Sequence, residues 1–143
     1  MTETLQPGES PGFLLWRATL RWQRMIAAAL APFELTHVQF VLLACAWWLN
    51  EQGETPSQAA VARQAGTDVK MTSQVLRSLE ARGLLERRPD ASDARARRIL
   101  ATRKGKALAP KAIAAVEAVD AEFFAAVPAK QTVRLLVALA EEG

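Results

Sequence analysis

The chain has 143 residues, of which 50% are hydrophobic and 23% charged, a balance typical of one globular domain. Its longest apolar run, residues 40–49, has half the length of about 20 residues that a membrane-spanning helix needs. The first sixteen residues contain no Lys or Arg, so we expect no signal peptide. One cysteine, Cys45, and one histidine, His37, cannot supply a disulfide framework or a structural zinc site, so we expect no metal and no cofactor.

The N-terminal part of the sequence predicts two helices. Ser10-Pro11 is typical of a helix start, with Ser10 as the cap, and Pro32 should stop this first helix near Ala31. Residues 36–39 (THVQ) have the form of a capping box and predict a second helix to about residue 50. The second helix is apolar nearly all round and should be central and buried. The predicted apolar stripe of the first helix consists of Phe13, Trp16, Leu20 and Ala27.

The middle of the chain predicts two more helices joined by a tight turn. Residues 55–58 (TPSQ) repeat the capping box, and the short helix that they begin should end at Gly66. Thr67 or Asp68 can cap the next helix, at about residues 69–82. Helical spacing turns one set of its residues inward, Thr72, Val75, Leu76 and Leu79, and another outward, Lys70, Gln74, Arg77 and Ala81.

The remaining segments predict a β-hairpin and two terminal helices. Residues 84–88 and 97–101 are short enough for strands, and turn-forming residues separate them. Thr102 can cap a long helix to about residue 127, which Pro110 should kink or interrupt. A final helix should follow Pro128, with an inward face of Val133, Leu136, Val137 and Ala140.

Positive charge is concentrated on the predicted hairpin. Residues 82–106 contain nine basic and three acidic side chains, a local net charge of +6, whereas the whole chain carries +3. Such a cluster is the electrostatic footprint of a site for a polyanion, although a solvated basic loop is the alternative. The hairpin directly follows two helices with a short joint at residues 66–68, which is the order of a winged helix-turn-helix.

Residues 35–108 resemble the MarR family of bacterial transcription regulators. The resemblance is carried by residues 35–40 (LTHVQF), by residues 79–90 (LEARGLLERRPD) and by Asp93-x-Arg95, which Thr102 and Gly105 follow at the family's spacing. Ala101 departs from the family, which usually has Leu there. The outward residues Lys70, Met71, Gln74 and Arg77 also depart from its usual small polar set, and this difference bears on the operator sequence rather than on the fold.

The resemblance implies a mainly α fold with one β-hairpin, in a single domain over residues 1–143. Residues 35–102 would form the winged helix-turn-helix lobe, and residues 10–31 and 103–143 the dimerisation helices. The implied protein is a cytoplasmic homodimer that binds double-stranded DNA sequence-specifically. It would act as a ligand-responsive repressor on a pseudo-palindromic operator, with no membrane partner.

The expected DNA-binding residues lie on the second helix of the helix-turn-helix and on the wing. Gln and Arg suit bidentate contacts to bases, whereas a methionine can touch a thymine methyl or simply pack. The family match places Arg95 at the wing tip in the minor groove, held by Asp93; by itself this is a weak surface ion pair. The helix set is Lys70, Met71, Ser73, Gln74 and Arg77, and the phosphate anchors of the wing are Arg87, Arg88, Arg97 and Arg98.

Similar proteins bind small aromatic or phenolic effectors between the dimer helices and the DNA-binding lobe. Trp16, Arg17 and His37 would line that cleft here, as an aromatic wall, a cation and a polar tip. Cys45 lies in the apolar centre of the second helix and is interpreted as structural.

Three alternatives remain at this point. A non-sensing architectural or constitutive DNA-binding protein would have the same fold without a cleft. A protein-binding winged helix would not need Arg95 at the wing tip. An enzyme has no support, because the sequence has no metal cluster, no Gly-rich phosphate loop and no nucleophile motif.

Overall fold

The computed structural model describes residues 3–93 and 97–141 and confirms a mainly α fold with one β-hairpin. The two strands are antiparallel, with Leu85 opposite Ala101 and Pro89 opposite Arg97. Short 3-10 turns, Pro7–Glu9 and Ala31–Phe33, flank the first helix. The elements are α1 (Pro11–Leu30), α2 (His37–Glu51), α3 (Gln58–Ala65), α4 (Val69–Ala81), β1 (Leu85–Pro89), β2 (Arg97–Ala101), α5 (Arg103–Phe123) and α6 (Ala129–Ala140).

Local capping signals fix the starts of most helices. Ser10 caps α1, and Thr36 and Gln39 form a complete capping box on α2. The Asp68 carboxylate accepts a hydrogen bond from the Met71 backbone N–H at 2.7 Å at the start of α4. The Thr102 hydroxyl accepts one from the Gly105 N–H at 3.0 Å at the start of α5. These caps satisfy donors that a helix leaves unpaired in its first turn.

The predicted start of α3 is wrong by two residues, because Ser57 and not Thr55 is its cap. The Pro56 carbonyl accepts a hydrogen bond from the Ile99 N–H at 2.8 Å, and Ser57 forms a β-bridge with Arg98. The segment before α3 therefore lies beside β2 and pairs with it through a single β-bridge. This pairing with distant residues holds the backbone extended where the local sequence favours a helix.

The core is built around α2, as its apolar sequence predicts. Leu42, Leu43 and Ala46 have no exposed surface, and α2 contacts α1, α3, α4 and α5. Thr72, Leu76 and Leu79 of α4 are buried and Val75 is half-buried, which confirms the predicted inward face. In the part of the chain that the structure describes, no single helix is long and apolar enough to cross a membrane; α1 with its 3-10 turn and α2 would satisfy the criterion only together, across a bend of 70°.

The predicted apolar stripe of α1 and the predicted inward face of α6 are largely exposed in a single protomer. Phe13 and Trp16 are 43% and 61% exposed, and the buried residues of α1 are Ile26 and Leu30. Only the C-terminal half of α1 packs deeply on the core. On α6 the predicted inward residues are all exposed, because nothing in the protomer covers them: Val133, Leu136, Val137 and Ala140.

Pro110 does not interrupt α5, which runs unbroken from Arg103 to Phe123. The helix nevertheless ends four residues before the predicted end at residue 127, at a turn around Phe124. Pro110 is exposed, so its ring meets solvent rather than a packed neighbour. The carbonyl one turn earlier, which a proline leaves without its helical donor, stays at the surface where water can satisfy it.

Gly105 permits the close approach of α5 to the hairpin. A Cβ at this buried position would lie 2.0 Å from the Leu84 carbonyl oxygen. We expect Gly105→Ala to lower the free energy of unfolding by about 3 kcal/mol, the upper end of ordinary overpacking, because backbone must move. Urea denaturation measures this, with Gly12→Ala as control, since a Cβ at Gly12 meets nothing within 4 Å. Equal stability of the two variants would contradict the prediction.

Candidate nucleic-acid interface

The turn between α3 and α4 is fixed by backbone conformation and buried hydroxyls. Gly66 ends α3 in the left-handed region at φ 73°, which only glycine adopts without cost. The fully buried Thr72 hydroxyl donates to the Asp68 carbonyl at 2.7 Å and lies 2.7 Å from the Thr67 hydroxyl. These bonds hold the two helices of the helix-turn-helix in one fixed relation.

The outward face of α4 is polar and basic, and its long side chains are available for contacts with another molecule. Lys70, Gln74 and Arg77 are exposed, and within the described residues none has an intramolecular hydrogen bond or ion pair. Met71 is 40% exposed beside them, and Ser73 is half-buried. The structure thus brings the five helix residues of the predicted DNA set onto one side of α4. From there they can contact the base edges and phosphates of a DNA major groove.

Two side chains, Gln39 and Arg82, connect the C-terminal part of α4 to the start of α2. The Gln39 amide donates to the Ser78 hydroxyl at 3.1 Å, and Ser78 donates to the Val75 carbonyl at 2.6 Å. The Arg82 guanidinium donates to the carbonyls of Phe33 and Glu34, just before α2. These hydrogen bonds therefore fix the C-terminal half of α4 against the first turn of α2.

The wing arginines are less free than their sequence suggests. Arg87 donates two hydrogen bonds of 3.1 Å to the two carboxylate oxygens of Glu80, and these bonds hold the pKa of that carboxyl below its usual range. Arg88 forms an ion pair of 2.6 Å with Glu86. Arg97 is exposed. Arg87 and Arg88 can serve as phosphate anchors only by sharing or leaving these carboxylates, and that role stays a prediction.

Arg98 of β2 connects the hairpin to two neighbouring segments. Its guanidinium pairs with Asp90 at 2.6 Å and donates to the Thr55 carbonyl at 3.1 Å. Asp90 also accepts hydrogen bonds of 2.9 Å from the Ser92 N–H and hydroxyl, which lower the pKa of the Asp90 carboxyl. Arg98 thus ties the hairpin to the segment before α3. Arg95 lies outside the described residues, so its pairing with Asp93 stays a prediction.

A second cluster joins the terminal helices to the DNA-binding lobe. The Trp22 indole N–H of α1 donates to the Asp120 carboxylate of α5 at 2.8 Å. His37, the first residue of α2, meets the Trp22 ring edge-on at 5.0 Å between centroids. Burial lowers the pKa of His37, and the nearby Asp120 carboxylate opposes that shift. Sequence patterns missed this cluster because its three members come from three distant segments.

The lowered pKa of His37 predicts a pH dependence of stability. Because the folded chain binds a proton at His37 less readily than the unfolded chain, acidification through pH 6.5 favours unfolding. We expect the free energy of unfolding to fall between pH 8 and about 5.5, and to fall less in His37→Gln, which cannot be protonated. Urea denaturation at the two pH values measures this. The same loss in both proteins would contradict the assignment.

An apolar groove between α2, α3 and α5 does not contain the predicted effector residues. A cavity of about 530 Å³ lies between α2, α3 and α5. Trp16 and Arg17 are exposed on α1, and neither lines a described cavity. The structure therefore does not bring them together with His37 within one protomer. Residues lining the groove include Phe40, Cys45, Trp47, Trp48, Gln64, Ile113 and Glu117.

Cys45 lies on the wall of this groove as a free, half-buried thiol. Burial raises the pKa of the Cys45 thiol, so the thiolate is disfavoured. This agrees with a structural cysteine. Among the described residues, no group of three or more His, Cys, Asp or Glu side chains is placed to hold a metal ion.

The geometry so far is that of a winged helix-turn-helix between exposed apolar helices, and comparison with known proteins gives the family. The MarR family profile matches residues 35–96. YdcH of Bacillus subtilis (strain 168), described as an uncharacterized HTH-type transcriptional regulator, is 43% identical over 125 residues, which cover 87% of this chain and 85% of YdcH. The chain belongs to the MarR family. It is a DNA-binding transcription regulator, as the sequence motifs predict.

Solved MarR-family structures share the whole fold. CouR from Rhodococcus jostii RHA1, bound to p-coumaroyl-CoA, superimposes with a TM-score of 0.80 at 28% identity, covering 95% of this chain and 93% of CouR. Rv2887 of Mycobacterium tuberculosis in complex with DNA gives 0.69 at 31% identity, covering 92% and 98%. Rv2887 with salicylic acid gives 0.65 at 33% identity, covering 91% and 93%.

The terminal helices leave apolar surface exposed in the protomer. MarR proteins are dimers. Leu14 and Leu15 of α1 and Leu135 and Leu139 of α6 are between 44% and 65% exposed in the protomer. Clustered apolar surface of this kind marks a protein interface, and a two-fold dimer covers it on both protomers at once.

Proposed function

We propose that this MarR-family chain is a cytoplasmic repressor that binds a pseudo-palindromic operator as a homodimer and releases it when a small aromatic effector binds. The observation that carries the DNA-binding part is the outward face of α4. Its Lys70, Gln74 and Arg77 side chains have no intramolecular partner within the described residues. In a helix-turn-helix this second helix enters the major groove, where Gln and Arg suit adenine and guanine.

The wing adds a contact of a different kind. In our proposal Arg95 enters the minor groove beside the site and reads its width and charge rather than its bases. The guanidinium group of Arg97 lies along the flanking phosphates. Those of Arg87 and Arg88 lie there too, while they keep part of their contact with Glu80 and Glu86. Arg98 has a smaller part in DNA binding, since Asp90 and the Thr55 carbonyl already hold its guanidinium.

Arg95→Ala tests the wing. We expect weaker binding to every duplex, with the largest loss where the flank is a narrow A-tract. The slope of log K against log salt should fall by about one per chain, because one phosphate neutralisation is lost. Fluorescence anisotropy with labelled duplexes at several salt concentrations measures both quantities. Unchanged affinity and slope would mean that the basic hairpin is only a solvated loop.

For the effector we propose the groove between α2, α3 and α5. CouR holds p-coumaroyl-CoA and Rv2887 holds salicylic acid. The groove offers the indole rings of Trp47 and Trp48 as aromatic walls. Because α3 belongs to the helix-turn-helix and α5 to the terminal helices, an occupant would contact both parts. An effector that binds one of their arrangements better shifts the dimer toward it and away from the operator spacing.

Two tryptophan variants separate this groove from the first-predicted site at Trp16, Arg17 and His37. The purified protein is bound to a selected duplex and titrated with hydroxybenzoates, hydroxycinnamates and their CoA thioesters. We expect at least one compound to release the DNA. Trp48→Ala should then lose this response, while Trp16→Ala keeps it and both retain operator affinity within about 1 kcal/mol.

If Trp16→Ala loses the response and Trp48→Ala keeps it, the effector binds at the Trp16 site. If both variants release the DNA as the parent does, both assignments are wrong. DNA binding that persists with every compound favours the non-sensing alternative. The groove and the DNA surface are thus tested separately.

A further inference from the structure

Val69 is an exposed apolar side chain at the start of the recognition helix. It is the first residue of α4 and is 68% exposed, the highest value of any large hydrophobic residue among those described. Most of the others, such as Trp16 and Leu139, lie on α1 and α6, where a dimer through the terminal helices would cover them. Val69 lies on the DNA-binding lobe instead, so a dimer between the terminal helices does not explain it.

Apart from Met71, which is 40% exposed, the exposed side chains near Val69 on α4 are basic or polar. Lys70 follows it directly and Arg77 lies two turns along the same helix, both exposed. The Asp68 carboxylate, the nearest acidic group in sequence, is occupied by the Met71 N–H at 2.7 Å. An exposed apolar side chain among basic ones is complementary to a ligand that is anionic overall and carries one apolar group.

We propose that Val69 determines operator specificity by packing its methyl groups against the C5-methyl of a thymine in each half-site. The N-terminal residues of a recognition helix contact base edges, and this methyl is the one apolar group that base pairs present in the major groove. Branching at Cβ holds the Val69 methyl groups in few rotamers, so one methyl position is favoured. Met71 is 40% exposed and has a flexible side chain, so it tolerates several methyl positions. This inference rests on the proposed entry of α4 into the major groove.

Replacing thymine by deoxyuracil tests the contact, because it removes only the methyl group and keeps the O4 acceptor. Bound sequences are first selected from random duplexes with the full-length protein. Each thymine of the selected half-site is then replaced in turn. We expect one position at which the substitution weakens binding about fourfold per half-site, the value of one buried methyl-sized group.

Val69→Ala supplies the second arm of a double-mutant cycle. The variant should bind the thymine and deoxyuracil duplexes equally at that position. Val127→Ala, which shortens an exposed valine outside the DNA-binding lobe, should keep the parent's discrimination there. Because Val69 is exposed, the variant should unfold at the parent's temperature. A deoxyuracil penalty that Val69→Ala leaves intact, or the absence of any sensitive position, overturns the inference.

Selection with Gln74→Ala and Arg77→Ala distinguishes failure of this inference from failure of the proposed function. If both variants select the parent's sequence, α4 does not read bases, and the proposed function and the inference fail together. If they select altered sequences while Val69→Ala keeps the deoxyuracil penalty, only the role of Val69 is overturned.

Discussion

Glutamate at Val133 and Val137 of α6 is expected to separate the dimer and to lower operator affinity by about 10²- to 10⁴-fold, because two linked half-site contacts become independent. The two residues are one helical turn apart and are 60% and 48% exposed in the protomer. A dimer that covers them would have to bury two like charges on each chain without partners. Light scattering at micromolar concentration measures the mass, and anisotropy with the selected duplex measures the affinity.

Gln131→Glu is the matched control, since it adds a charge to the same helix at an exposed polar position. It should remain a dimer with the parent's affinity. A dimeric Val133→Glu, Val137→Glu variant would show that α6 does not form the interface. A monomeric variant with full operator affinity would show that one protomer is sufficient for DNA binding.

Arg77→Ala is expected to cost about 1–3 kcal/mol of operator binding and to relax the preference at one base pair per half-site. The physical reason is directional, because a guanidinium on the outward face of α4 can donate two hydrogen bonds to one guanine. Within the described residues it has no intramolecular partner that its removal would leave unpaired. The fold should therefore be unaffected, and a loss of affinity reports the DNA contact itself.

Arg24→Ala removes the same charge from an exposed position on α1, outside the DNA-binding lobe. Its operator affinity should stay near that of the parent, and its selected sequence should be identical. If Arg77→Ala and Arg24→Ala weaken binding equally at every base pair, Arg77 contributes only general positive charge. The base-reading role of α4 would then be wrong at this position.

The sequence predicted best what depends on neighbours in the chain. The caps at Ser10, Thr36, Asp68 and Thr102 involve partners within three residues, and each begins a helix as predicted. The outward face of α4 follows from helical periodicity alone, and its members are exposed. The predicted cap at Thr55 failed because the backbone beside it pairs with β2, more than forty residues away in the chain.

The sequence predicted least well the features whose partners lie far away or on another chain. Charge counting cannot show that Arg87 faces Glu80 or that Arg98 faces Asp90, because the hairpin register and the packing of α4 create those pairs. The apolar face of α6 has the correct periodicity, but the surface that would bury it is not part of one protomer. The cluster of Trp22, His37 and Asp120 forms only when three helices meet.

The proposed effector groove shows the same limit. Trp16, Arg17 and His37 have suitable chemistry, and their sequence positions do not reveal that His37 contacts Trp22 instead. The groove between α2, α3 and α5 depends on which faces of three helices remain apart after packing. Residue types alone do not give that, and Trp47 and Trp48 had no periodic signal to separate them from the core of an apolar helix.

Selection of bound sequences from random duplex DNA tests whether a homodimer of this chain reads operator DNA with two copies of α4. We expect an inverted repeat whose half-site centres lie about 10 base pairs apart, one turn of the double helix. We also expect Arg77→Ala to lose preference at one symmetric pair of positions. Enrichment of an asymmetric sequence, or no enrichment over the starting pool, would contradict this prediction.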